Sequence, residues 1–90
     1  MTQERLDTLM EFPCSFAIKA MGLAADDFDG LVVTIVRQYV PNLSEAAVRS
    51  KPSAAGKYLS VTIAFEADSR AQLDDIYRAL SAEKRILMAL

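Results

Sequence analysis

Apolar and polar residues alternate strictly over Lys57–Ala67, KYLSVTIAFEA. Leu59, Val61, Ile63 and Phe65 fall on one side, and Ser60, Thr62, Ala64 and Glu66 on the other. A period of two puts the large apolar groups on one face of a half-buried strand. Val, Ile, Thr, Tyr and Phe also suit a pleated surface. The spacing predicts a central strand with one face covered by helices. Cys14–Met21 alternates in the same way, with Cys14, Phe16, Ile18 and Ala20 inward and Ser15, Ala17, Lys19 and Met21 outward. Gly22 follows, where a turn or a close backbone approach is expected.

Between and after these segments the period changes to that of a helix. Over Asp26–Val40, residues Phe28, Leu31, Val32, Ile35, Val36 and Tyr39 form one continuous stripe. Asp26 is placed to cap the start, Asp27 and Asp29 sit near the positive end of the dipole, and Pro41 stops the helix. Gly30 is a weak interior position, allowing close approach to the sheet. A second helix is predicted over Ser69–Ser81. Ser69 and Gln72 form a capping box, Leu73, Ile76, Tyr77 and Leu80 make the buried stripe, and Asp74 and Arg78 are an i,i+4 pair.

Two weaker strands complete the pattern. Ala46–Lys51 has Val48 as its large apolar residue and carries Arg49 and Lys51, as an edge strand does. Pro52–Gly56, PSAAG, joins it to the central strand as a hairpin loop. Lys84–Leu90 reads as the last strand, with Ile86, Met88 and Leu90 on one face and Arg85, Leu87 and Ala89 on the other. The order βαββαβ, with both helical stripes needing cover from one sheet face, predicts an α+β fold. This is a two-layer ferredoxin-like sandwich with a four-stranded antiparallel sheet of order 4-1-3-2. The domain is expected over residues 12–90. An arm over residues 1–11 precedes it, with Leu6, Leu9 and Met10 at helical spacing.

Composition narrows the function. The chain has 90 residues, one domain's worth, and 52% hydrophobic residues argue against disorder. Cys14 is the lone cysteine, there is no histidine, and the net charge is −2. No intramolecular disulfide can form, and a reducing cytoplasm is the simplest setting. No apolar run approaches the length of a membrane-spanning helix, and the acidic N-terminus is unlike a signal peptide. Without histidine, Ser-His-Asp and Cys-His nucleophile pairs are excluded. No phosphate-binding glycine motif is present. The inventory points away from an enzyme, and no cofactor or metal is expected.

Several short runs resemble the YbeD-like family of small bacterial proteins: Glu11-Phe12-Pro13, Phe16, Lys19-Ala20-Met21-Gly22, Lys51-Pro52-Ser53, Gly56-Lys57-Tyr58 and Ser60-Val61-Thr62-Ile63. Arg85–Leu90 is a looser match, and the resemblance extends over roughly residues 6–90. It implies a ferredoxin-like fold similar to ACT-type regulatory domains. It brings no catalytic residues, because the family's biochemical role is not established.

The remaining candidate is a surface. No acid occurs from Ala46 to Phe65, a stretch that carries Arg49, Lys51 and Lys57. With Lys19, Ser53, Gly56 and Tyr58 these residues make up a candidate ligand or partner surface, next to an open sheet face of Ala17, Lys19, Met21, Tyr58, Ser60, Thr62 and Leu87. Two functional readings follow. One is a non-enzymatic regulatory or protein-interaction domain that binds a small ligand or a partner protein, as a monomer or weak homodimer. The other is an RNA- or anion-binding module using Arg49, Lys51 and Lys57. Nucleic acid is disfavoured, because the sheet lacks the stacking aromatics of an RNA platform. The plain alternative is a solvated hairpin whose charges only protect a sheet edge.

Overall fold

The computed structural model describes residues 11–90. Except for Glu11, the expected N-terminal arm lies outside the described residues. Strand β1 (Cys14–Leu23) and strand β3 (Tyr58–Ala67) pair antiparallel along their whole lengths, from Cys14 opposite Ala67 to Leu23 opposite Tyr58. Strand β2 (Val48–Pro52) flanks β3 and the short strand β4 (Met88–Ala89) flanks β1, so the sheet order is β2-β3-β1-β4. This is the expected 4-1-3-2 order read from the other edge. Helices α1 (Phe28–Arg37) and α2 (Arg70–Ser81) complete the βαββαβ order.

The two inner strands are the two segments with the clearest alternation. Ile18, Ala20, Val61 and Ile63 meet Phe28, Val32 and Val36 of α1 and Ile76 and Leu80 of α2 in one buried core. Each fully buried side chain of this size contributes about 1.5–3 kcal/mol of transfer free energy. Phe65 lies towards the end of the sheet, half-buried, with its ring edge-to-face on Phe16 at 6.4 Å.

Helix starts and ends differ in detail from the sequence expectation. α1 begins at Phe28, and Asp27, not Asp26, holds the N-cap position without a side-chain cap bond. The Asp27 carboxylate instead accepts two hydrogen bonds from Arg85, at 2.8 and 3.1 Å. At α2, Ser69 Oγ accepts the Gln72 N–H at 3.1 Å, as a capping box requires. The reciprocal bond is shifted by one residue, because Gln72 Oε1 accepts from Asp68 N–H at 2.7 Å. Gln72 Nε2 donates to Tyr39 O at 2.9 Å, tying the start of α2 to the residues just past α1. The expected Asp74–Arg78 pair does not form: Arg70 takes Asp74 at 3.1 Å and Arg78 takes Asp75 at 3.0 Å. Gly30 is exposed with nothing near its Cβ position, so it does not bring the helix close to the sheet.

Gly22 makes the close approach expected of it. A Cβ there would run into Arg85 O and lie 2.5 Å from the Phe28 ring. It sits inside β1, which therefore runs through the glycine to Leu23. The edge strand β2 starts later than expected, because Glu45–Ala47 form a 3₁₀ turn whose cap, Ser44 Oγ, accepts Ala46 N–H at 3.1 Å.

The largest correction concerns the last strand, which is two residues long and faces the other way. Met21 has Met88 as its Cα partner, yet Met21 O accepts the Leu87 N–H at 2.8 Å. Two residues thus oppose one, the count of a β-bulge, and the bulge inverts the alternation beyond it. Ile86 is buried and Ala89 packs against the core, while Leu87, Met88 and Leu90 are 59%, 50% and 65% exposed.

Candidate functional site

The helices cover one face of the sheet, and the other face is open. Its side chains follow from the strand register in cross-strand rungs. One rung runs Met88, Met21, Ser60, Lys51 and the next runs Leu90, Lys19, Thr62, Arg49, in each case from β4 to β2. Lys19 and Leu90 exchange backbone hydrogen bonds at 3.0 and 2.8 Å, which extends the ladder one position beyond β4. Leu23 opposite Tyr58 closes the upper end, and Ala17 opposite Ala64 the lower.

The loop that turns β2 into β3 fixes the upper corner. Ser53 N–H donates to Tyr58 O at 2.9 Å, and Tyr58 N–H donates to Ser53 Oγ at 3.1 Å. Gly56 N–H donates to Ser53 O at 2.9 Å, and Gly56 takes φ +74°, a conformation other residues rarely adopt. Lys57 Nζ lies 5.5 Å from the centroid of the Tyr58 ring, a cation–π contact that holds Tyr58 at the end of the face.

Of the candidate residues, Lys19, Lys51, Ser53 and Tyr58 line one shallow hollow of about 460 Å³, together with Met21, Pro52, Ala54 and Ser60. Arg49 stands one rung below, beside Thr62, and Lys57 flanks the hollow through Tyr58. Gly56 does not line the hollow. Among the described residues, Lys19, Arg49, Lys51 and Lys57 form no ion pair. These four cations contribute +4 to a chain whose total is −2, so the rest of the chain carries −6. Glu66, opposite Ser15 below the Ala17–Ala64 rung, adds one carboxylate to the same face, so Lys19, Arg49 and Lys51 leave the face with a net positive charge on an acidic protein.

The face has a second half that the sequence reading did not assemble. Among the described residues, Leu23, Leu87, Met88 and Leu90 are the exposed large apolar side chains, and they sit on or beside β4 and at the end of β1. Met88 and Leu90 share rungs with Met21 and Lys19. Strict alternation from Ile86 assigns them inward, and only the bulge turns them out. Tyr58 is the one aromatic side chain among these open-face rungs, too few for a base-stacking platform.

Other chemistry is sparse. Among the described residues no cluster of His, Cys, Asp or Glu could hold a metal ion. Cys14 is half-buried opposite Ala67, at the far end of β1 from the basic hollow. The Arg85 guanidinium holds the Asp27 carboxyl below its ordinary range, chiefly by the hydrogen bonds described above. Both groups belong to the corner between α1 and the turn before β4, not to the open face. No helix among the described residues is long and apolar enough to cross a membrane.

The family model described as "Protein of unknown function (DUF493)" matches residues 7–90. A UPF0250 protein of Paraburkholderia phytofirmans is 42% identical over 84 residues, 93% of this chain and 94% of that protein. A UPF0250 protein of Nitrosomonas europaea is 39% identical over 90 residues, covering both chains fully. The solution structure of protein HP0495 from H. pylori superposes with a TM-score of 0.71 at 15% identity, over 90% of this chain and 85% of that one. That likeness concerns the fold alone.

Proposed function

This chain belongs to the DUF493 family of bacterial proteins of unknown function, and we propose that it is a non-enzymatic interaction domain that docks a partner protein on the open face of its sheet. The observation that carries this reading is the pairing of two features on one face. Exposed Leu87, Met88 and Leu90 stand at one edge, and Lys19, Arg49 and Lys51, which form no ion pair among the described residues, stand across the middle and the other edge. An apolar patch rimmed by charge is what a protein interface uses: burial supplies affinity, and charge supplies orientation and encounter rate. The lone cysteine fits action in a reducing cytoplasm.

A small organic anion held between Lys19 and Lys51 is a second reading, supported by the two ammonium groups lining one hollow. It leaves the apolar residues of β4 without a role, so the partner protein is the stronger reading.

The test compares what the full chain and two face variants, Lys51→Glu and Met88→Asp, retain from a lysate of the native cell, measured by quantitative mass spectrometry. Circular dichroism checks that each variant folds. A partner retained by the parent chain is expected to drop at least tenfold with both variants. Equal retention by all three proteins would overturn the reading.

A further inference from the structure

We propose that the partner element seated on the open face is an acidic amphipathic helix, an inference that rests on the docking reading above. The alternative way to bind a sheet is to add a strand to its edge, and the backbone at both edges opposes that. Ser53 and Tyr58 are bonded across the β2–β3 hairpin, so hydrogen bonds towards β3 alternate back along β2 from Ser53 to Lys51 and Arg49. Pro52, Ser50 and Val48 are then the residues whose backbone points outward. Pro52 has no N–H, and the Val48 N–H already donates to Glu45 O in the 3₁₀ turn. Only Ser50 is left to offer a donor to an added strand. The opposite edge, β4, is two residues long.

The face itself has the dimensions of a helix. From β4 to β2 is three strand spacings, about 14 Å, and an α-helix with its side chains is about 10–12 Å across. A helix lying along β1 and β3 would therefore have one flank over Leu87, Met88 and Leu90 and the other over Lys51 and Arg49, with Lys19 beneath it. That arrangement demands an apolar stripe on the first flank and carboxylates on the second. Met21 and Met88 share the central rung, and their unbranched side chains adapt to an incoming surface. A second copy of this chain has no such helix to offer among the described residues. Val32 and Val36 of α1 and Ile76 and Leu80 of α2 are wholly buried against their own sheet.

The probe is a phage-displayed library of random peptides about 16 residues long, selected on the immobilised full chain; as a helix this length spans about 24 Å. Enriched peptides are expected to carry apolar residues at i, i+3, i+4 and i+7 and a net negative charge. They should become helical on binding by circular dichroism, and lose at least tenfold in affinity for Lys51→Glu and for Met88→Asp. Acidic peptides that alternate with a period of two, and weaken with the same variants, would overturn the helix while leaving the docking face intact. Peptides that bind both variants as well as the parent chain would overturn both readings. So would an RNA oligonucleotide bound more tightly than any peptide and lost with Lys51→Glu. Self-association in sedimentation that is abolished by Met88→Asp and excludes the peptides would assign the face to a second copy and overturn the helix.

Discussion

Gly22→Ala is the substitution on which the packing of the whole α1–β1–β4 corner can be judged. On its own, replacing a strand glycine by alanine stabilises a protein by about 0.4–1 kcal/mol, through the unfolded chain. Here the added methyl lands 2.5 and 2.6 Å from Cε1 and Cζ of Phe28, and it also collides with Arg85 O. Ordinary carbon contacts lie near 3.5–4.0 Å, so the methyl intrudes by about 1 Å. The Phe28 ring is wholly buried and the other obstacle is backbone, so neither yields without moving its neighbours. Overpacking one neighbour costs about 1–3 kcal/mol. With two neighbours we expect about 3 kcal/mol, a large share of the roughly 5–13 kcal/mol available to a 90-residue domain. Guanidinium denaturation followed by circular dichroism measures this directly, with the slope unchanged if only stability moves. Adding Phe28→Leu removes the ring atoms the methyl strikes, so the double variant should lose at least 1 kcal/mol less than the sum of the single losses. A loss below 1 kcal/mol, or strict additivity, would refute the packing described for this corner.

Gly30→Ala should do the opposite, since its Cβ meets nothing within 4 Å: a gain of about 0.5 kcal/mol in the same denaturation assay is expected. Arg85→Ala should lower the melting temperature above pH 4 more than below it. The folded pKa of Asp27 lies below its unfolded value because of Arg85, so the pair's contribution is complete above the unfolded pKa and fades as pH falls through the folded one. Melting curves from pH 2 to 6 read this, and a gap that stays constant or widens in acid would contradict it. Replacing Arg49, Lys51 and Lys57 together by Gln should change stability by less than about 0.5 kcal/mol, because all three are exposed and form no ion pair among the described residues. Partner affinity should fall and lose its salt dependence; unchanged affinity with faster aggregation would leave those charges only a protective role at the edge.

Much of the fold was legible because its periodicities are unmixed. Val61 and Ile63 alternate with Ser60 and Thr62 and are wholly buried, and Phe28, Val32 and Val36 keep the helical spacing that buries them. Helix ends were less legible, since any of Asp26, Asp27 and Asp29 can serve a helix start. A distant cation decides the matter: Arg85, 58 residues away, takes Asp27 for itself. The basic half of the open face could be read because Arg49, Lys51 and Lys57 sit in one hairpin and Lys19 lies on the outward side of a clearly alternating strand. The hollow was only partly legible, since Met21 joins it, like Lys19, through the pairing of β1 with the distant β3. Gly56 was drawn in by its place among the basic residues, whereas its positive φ serves the turn.

The apolar half depends on one extra residue. An uninterrupted strand after Ile86 would point Met88 inward, to the side of the sheet on which Ala20, Phe28 and Ile76 are wholly buried. The bulge sets Leu87 and Met88 together opposite Met21, so that the small Ala89 meets Ala20 on the core side. Leu90 then follows Met88 outward, beside Lys19. No propensity scale marks a bulge in KRILMAL, because Ile86, Leu87, Met88 and Leu90 are all apolar and none of them ties its neighbours to one face. The bulge places Met88 and Leu90 beside Met21 and Lys19, and so adds exposed apolar side chains to the face that carries Lys19, Arg49 and Lys51.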